Sequence, residues 1–343
     1  GIANVNGGNP TVIRCSFQSN HAERGGGMFN ENCAPTVTDC TFSGNGAGSG
    51  GGMANVASNP AITGCTFSGN NAGPGISSGG GMVNETSSPT ITNCIFSSNN
   101  SSNSGGGIGN IQSSPTMTRC FLYGNTALQG GGMENTQYSD ATVINSAFLS
   151  NEAHFGGGIS NTYFSAPSVI NCIFSGNSAV VVGGGGIGNY LSGLSLTNCT
   201  FNANVAAYGG LGGAILNIES SPNIANCVLW GDTGFEIYNR DSTSIPSVLF
   251  SDVQGGYAGT GNIDADPRFE NAASIDLRLR LGSPCIHRGE DALLPPDSTD
   301  LDQDGDTTEL LPLDFNDSPR LRGPVDMGAF ESQAPVLFPG PRH

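Results

Sequence analysis

The chain has 343 residues, and its 28 acidic side chains outnumber 11 basic ones, all arginine, for a net charge of −17. So acidic and lysine-free a surface argues against nucleic acid and anionic membranes as partners. No apolar run is long enough to cross a bilayer as a helix, and 53 glycines without helical periodicity argue against a helical fold.

In chain order, Gly1-Ile2-Ala3-Asn4 is the tail of a phrase that then recurs whole. It reads GGGMFN at 25–30, GGGMAN at 50–55, GGGMVN at 79–84, GGGIGN at 105–110 and GGGMEN at 130–135. Later copies are GGGISN ending at Asn161, GGGIGN ending at Asn189, a drifted GGAILN ending at Asn217 and a degenerate one over 235–239. The chain begins inside a repeat, so a leader or further rungs are expected upstream. Between these copies runs a second phrase, typified by PTITNCIFSSN at 89–99. Its cysteine returns at Cys15, Cys40, Cys65, Cys94, Cys120, Cys172, Cys199 and Cys227, with Ser146 and Ser251 in equivalent slots.

Self-similarity at a period of about 25 residues, with short β-branched runs and many glycines, predicts a parallel β-solenoid in which each repeat is one rung of three short strands. Cys94 and Phe96 are two apart and share a face, whereas Ile91 breaks that alternation, so a bend must precede the cysteine. The residues there, Arg14, Asp39, Gly64, Asn93 and Arg119 among them, are largely types that tolerate a left-handed backbone. The glycines permit tight turns and close rungs, the Met or Ile after them fills the core, and Asn55, Asn84, Asn110 and Asn135 are expected to stack as a ladder while closing the next corner. Eight of ten cysteines share one slot, which predicts an inward ladder of free thiols, Cys40, Cys65, Cys94, Cys120, Cys172 and Cys199 in its middle, rather than disulfides or zinc. Cys33 and Cys285 fall outside it, and a bridge between those two stays open.

Outward positions form rows. Thr36 and Thr38, Thr90 and Thr92, and Thr116 and Thr118 are T-x-T pairs that ordinary β-propensity explains. Ile95, Phe121, Ile144, Ile170 and Ile173 should make an outward apolar interface patch, covered by the C-terminal module or a neighbouring molecule. Tyr138, Tyr163, Phe164 and Tyr190 fall in one inter-strand loop of three consecutive rungs, where they would contact sugar rings or another subunit, or pack over the loop backbone.

The signatures at Phe67 to Asn70 and Gly79 to Met82 resemble those of the chlamydial polymorphic outer-membrane proteins and of large secreted bacterial surface proteins with right-handed parallel β-helix repeats. "DADPRF" at 264–269, "DLRLRLGSPCIHRG" at 276–289 and "PRLRGPVDMGAFE" at 319–331 look like the C-terminal module that precedes a variable cell-surface anchor in such proteins. The resemblance implies an all-β, right-handed parallel β-helix of about ten rungs over 1–255, a capping or anchor-type module over 256–332 and an extended Pro-rich tail over 333–343. It also implies an extracellular or cell-surface protein, commonly adhesive or structural.

The acids Glu23, Glu31, Asp39, Glu85, Glu134, Asp140, Glu152 and Glu219 are scattered singly and read, with His21 and His154, as solvated turn residues. They do not supply the paired carboxylates or strong base of polysaccharide hydrolases and lyases. The acidic run "DLDQDGD" resembles an EF-hand loop that lacks its twelfth-position glutamate, and Asp300, Asp302, Asp304 and Asp306, with Asp314, would hold calcium. The sequence therefore predicts a non-enzymatic structural or adhesive protein whose partners are cell-surface glycans or itself. An uncapped first rung and a donated C-terminal tail would give a head-to-tail filament. The alternative is a polysaccharide-binding or polysaccharide-degrading β-helix, in which Glu152 or His154 would matter.

Overall fold

The computed structural model describes residues 1–74, 78–207, 209, 211–321 and 323–332; the Pro-rich tail lies outside the described residues. Three parallel, ten-stranded sheets run the length of a solenoid. The first holds the glycine-phrase strands, from Ile2–Val5 and Met28–Glu31 to Ile237–Asn239. The second runs from Thr11–Ile13 to Ser247–Leu249 and the third from Ser16–Gln18 to Asp252–Val253. Register keeps like on like: Met82 pairs with Met53 and Ile108, Ile62 with Ile91, and Phe67 with Phe96.

The predicted bend is present in every rung as a left-handed residue before the cysteine, with φ of 51° at Arg14, 54° at Asn93 and 53° at Asn226. It turns Ile91, Cys94 and Phe96 into one core, all fully buried. Phe42, Phe67 and Phe96 stack with ring centroids 4.6 and 4.7 Å apart, the rung spacing of a sheet.

One triplet shows what the glycines do. Gly130 has φ of +61°, a Cβ on Gly131 would lie 2.6 Å from the Gly157 carbonyl oxygen, and a Cβ on Gly132 would lie 2.8 Å from the Phe148 ring. Turn, rung contact and core contact each exclude a side chain.

Two details correct the sequence reading. The asparagine after the core Met does not close a corner: Asn55, Asn84, Asn110 and Asn135 sit inside strands, point inward and are fully buried. Each donates from Nδ2 to the next rung's Oδ1 at 2.8 to 2.9 Å, and the corner follows two residues later. Second, a rung is more than three strands. Short lateral strands between the third and first sheets form strips of four (His21–Arg24 to Asn100–Ser101) and three (Glu152–Phe155 to Val205–Ala206). They lie over the outer face of the first sheet, burying its outward residues Ala54, Val83 and Leu216. A Cβ on outward Gly188 would meet the Phe155 ring at 2.7 Å.

All ten cysteines are free, including Cys33 and Cys285. Cys33 occupies the first slot of a serine ladder: its backbone N–H donates to Ser58 Oγ, as that of Ser58 does to Ser87. Along the main ladder sulfurs accept the preceding rung's N–H, Cys40 donating to Cys65 and Cys65 to Cys94. Ser146 does the same for Cys120, which is why serine replaces cysteine there. A neighbouring thiol and burial push Cys65 up, and burial does the same for Cys199. Only Cys15 is exposed, so a thiol-specific chromogenic reagent should titrate about one of the ten thiols in the native protein and all ten after denaturation.

The downstream end of the solenoid is capped. Phe250 and Val253 donate to the carbonyls of Thr260 and Ile263, Asn262 accepts from Ser251 N–H, and the Tyr257 hydroxyl accepts the last asparagine of the first-sheet ladder, Asn239. The chain then folds back along the outer faces of the second and third sheets, with 3-10 turns at Ala272–Ser274 and Asp291–Leu293 as its only helix among the described residues.

Candidate functional site

The corner that follows the first-sheet strands carries the most distinctive surface. In the four rungs just upstream, one left-handed residue closes the corner after the first-sheet strand: Asn32, Ala57, Thr86 and Gln112, at φ of 47° to 52°. Two consecutive rungs use two, Gln137 with Tyr138 and Tyr163 with Phe164. The extra residue pushes an aromatic ring outward in each, and Tyr138 and Phe164 stack at 5.5 Å while remaining 65% and 57% exposed. Tyr163 meets Tyr190 edge-on at 5.7 Å. The four predicted aromatics thus form two pairs: Tyr138 and Phe164 stand out from the corner, whereas Tyr190 ends the first-sheet strand Ile187–Tyr190 and is half-buried against Tyr163. Beside them is a groove of about 170 Å³ bounded by Gln129, Phe155, Thr162, Tyr163, Val182, Tyr190 and Ile218.

Glu134 is not a solvated turn residue. It takes the outward slot that holds Ala54, Val83 and Gly109 in earlier rungs, under the lateral strands, and is 2% exposed. Burial raises its carboxyl to about 7, against the pull of the Ser104 and Thr162 hydroxyls. An acid in a slot otherwise small or apolar was the available signal. Glu152 and His154 do lie on the surface, in a lateral strand rather than a turn.

The apolar patch divides. Ile144 and Ile170 are buried by Leu301 and Leu311, and Ile173 by Leu277 and Phe330, so the C-terminal module is the cover. Ile95 and Phe121 stay exposed at its rim. The module also uses the corner residues: Asn145 and Asn171 donate to the carbonyls of Asp314 and Leu313, Asn226 exchanges two hydrogen bonds with Glu290, and Arg119 pairs with Asp317.

In the acidic run, carboxylate oxygens of Asp300, Asp302 and Asp304 lie within 4.8 Å of one another, as do those of Asp297, Asp302 and Glu309. Asp306 is in neither group and instead accepts from the backbone and hydroxyl of Thr308. Asp314 is buried elsewhere, accepting from Asn316, Ser318 and Glu331 N–H groups. Asp297 and Glu309 lie outside the DxDxDGD pattern and join it only through the fold. The donors are all hard oxygens, and Glu309 Oε1 is shielded with no hydrogen-bond partner, which suits calcium. Between this loop and the threonine rows runs a groove of about 530 Å³, bounded by Thr90, Thr116, Arg119, Asp300 and Gln303.

Residues 1–101 match the family model described as a right-handed β-helix region. No curated protein matches the sequence. Among solved structures, that of pectate lyase Pel9A superimposes with a TM-score of 0.50 at 11% identity, covering 96% of this chain and 82% of the lyase. At that identity the likeness shows the fold alone. The protein is a parallel β-helix of the right-handed class, and no membrane-spanning helix is found among the described residues.

Proposed function

We propose that this is a non-enzymatic, extracellular adhesive β-helix that holds a neutral polysaccharide along the corner that follows its first sheet. The observation that carries this reading is the pair of inserted aromatics. Left-handed corner residues recur in every rung, but these two corners add a second one that carries a bulky ring, at about 1 kcal/mol or more. Tyr138 and Phe164 accept that conformation in order to stand exposed and stacked. The adjoining groove offers an amide, a hydroxyl and two phenols, groups that stack on sugars and hydrogen-bond them. Its lining holds no carboxylate, lysine, arginine or histidine, so a degradative reading would have to use the phenols of Tyr163 or Tyr190 as base. A net charge of −17 favours a neutral glycan over an acidic one. The repeats' resemblance to secreted bacterial surface proteins supports the extracellular placement. Calcium at Asp300, Asp302 and Asp304, with Asp297 and Glu309, would pin the acidic loop against the threonine face. Head-to-tail self-assembly is the less favoured form, because the downstream rung edge is already paired with the cap.

Affinity electrophoresis against neutral and acidic polysaccharides tests the reading. Retardation by a neutral glycan should weaken at least about tenfold in Tyr138→Ala/Phe164→Ala, at unchanged thermal stability. Turnover of an acidic polysaccharide, lost in Glu152→Gln or His154→Ala, would overturn it, and so would binding indifferent to the aromatic pair.

A further inference from the structure

The asparagine row that follows the phenylalanines runs from Asn20 through Asn177 and Asn204 and ends on Asp232. Asp232 Oδ1 accepts the backbone and side-chain N–H groups of Asn204, just as Asn204 Oδ1 accepts those of Asn177. An asparagine at 232 would accept the same two bonds and keep an N–H₂ group for its neighbour. That neighbour is Glu236, whose Oε1 accepts the Asp232 backbone N–H at 3.2 Å. Asp232 Oδ2 and Glu236 Oε2 are both shielded with no hydrogen-bond partner, and the two residues are 9% and 4% exposed. Carboxyl therefore meets carboxyl at the one position of the row where an amide would satisfy both groups.

Two buried carboxylates in contact cannot both stay ionised unless a cation lies between them, because desolvation and mutual repulsion both oppose their ionisation, and the alternative is a shared proton. Burial and then the Glu236 charge push Asp232 well above the usual carboxylate range. No basic side chain lines the space they face, a cavity of about 360 Å³ bounded by Asp232, Glu236, Phe235, Gln254, Gly256 and Tyr257. The cavity lies between the last rung and the cap, and Tyr257 on its wall ends the other asparagine row. We propose that Asp232 and Glu236 bind a hard divalent cation, calcium or magnesium, with water in the cavity completing its shell. The site is separate from the acidic loop and joins the solenoid end to its cap.

The test is thermal unfolding of the full chain in chelator, calcium or magnesium, with terbium luminescence as a direct binding readout. Asp302→Asn serves as background, since it disables the acidic loop. Expected is a cation-dependent rise in melting temperature that survives Asp302→Asn and is lost on adding Asp232→Asn or Glu236→Gln. Asp232→Asn, which completes the amide row, should be at least as stable as its parent in chelator. The proposal is overturned if Asp302→Asn alone abolishes the cation effect. It is equally overturned if the Asp302→Asn chain shows no cation effect but loses stability as pH rises above the ordinary carboxylate range only while both carboxyls are present, since the pair would then share a proton.

Discussion

Replacing Arg320 with alanine should cost about 3–5 kcal/mol and free the C-terminal module from the solenoid. Arg320 is fully buried, yet its guanidinium donates to the Ala329 carbonyl at 2.9 Å and lies 3.6 Å from Glu331. The charges of Asp314 and Asp326 also bear on it. Its removal strands these carboxylates in a dry site, where the attraction that offset their desolvation is gone. The loss should depend on pH with a definite sign. Burial, then the Asp326 charge, raises Glu331 to about 8 in the folded protein. Folding therefore takes up a proton over the interval between Glu331's ordinary value of 4.5 and about 8, and stability from this group falls as pH rises through it. Protonation at pH 5 relieves the stranded cluster, so the deficit of Arg320→Ala should be smaller there than at pH 9. Undocking uncovers Ile144, Ile170 and Ile173, so binding of a hydrophobic dye and proteolysis within 256–332 should rise together. A variant with unchanged melting and no dye binding would show that the cluster does not hold the module.

How much of this was legible follows from where periodicity reaches. The ten rungs, the left-handed bend before Cys94, the inward thiols and the core phenylalanines are repeated constraints, and each copy confirms the last. The asparagine of the glycine phrase was misplaced because spacing alone does not tell an inward strand slot from a corner; alternation from Met53 puts Asn55 on the inner face. What escaped was aperiodic. Glu134 and Asp232 each break a row at one rung, and a single deviation looks like drift until its neighbours in space are known. The corner before the cysteines carried a readable signal: it varies through Arg14, Asp39 and Gly64, then settles on asparagine from Asn145 to Asn226. Those are the rungs the C-terminal module covers, and the asparagines combine a left-handed backbone with amide bonds to it. The Arg320 cluster could not be read, because its partners come from the irregular module and a buried arginine in sequence looks like any other.

Asn125→Ala should be at least as damaging as loss of Arg320, at about 4–6 kcal/mol, although it removes no charge and little apolar surface. Asn125 Oδ1 accepts both the backbone N–H and the side-chain amide of Asn99 at 3.0 Å, while Nδ2 donates to Phe96 O and to Asn151 Oδ1 at 2.9 Å. Truncation leaves the Asn99 N–H buried without an acceptor, at about 1–3 kcal/mol. It also removes three further bonds, each worth about 1 kcal/mol, from groups that keep other partners. A solenoid transmits stability only between adjacent rungs, so a broken rung in the middle uncouples the two halves. The same substitution at Asn20, a half-buried position whose Oδ1 accepts from the Gly1 amine and whose Nδ2 donates to Asn45 Oδ1, strands no buried N–H and should cost about 1–2 kcal/mol. Denaturant unfolding of the two variants compares them directly. Equal losses would mean that the ladder contributes only local bonds; a large loss at Asn125 with a second transition would mean that the inner amide row makes the solenoid unfold as one unit.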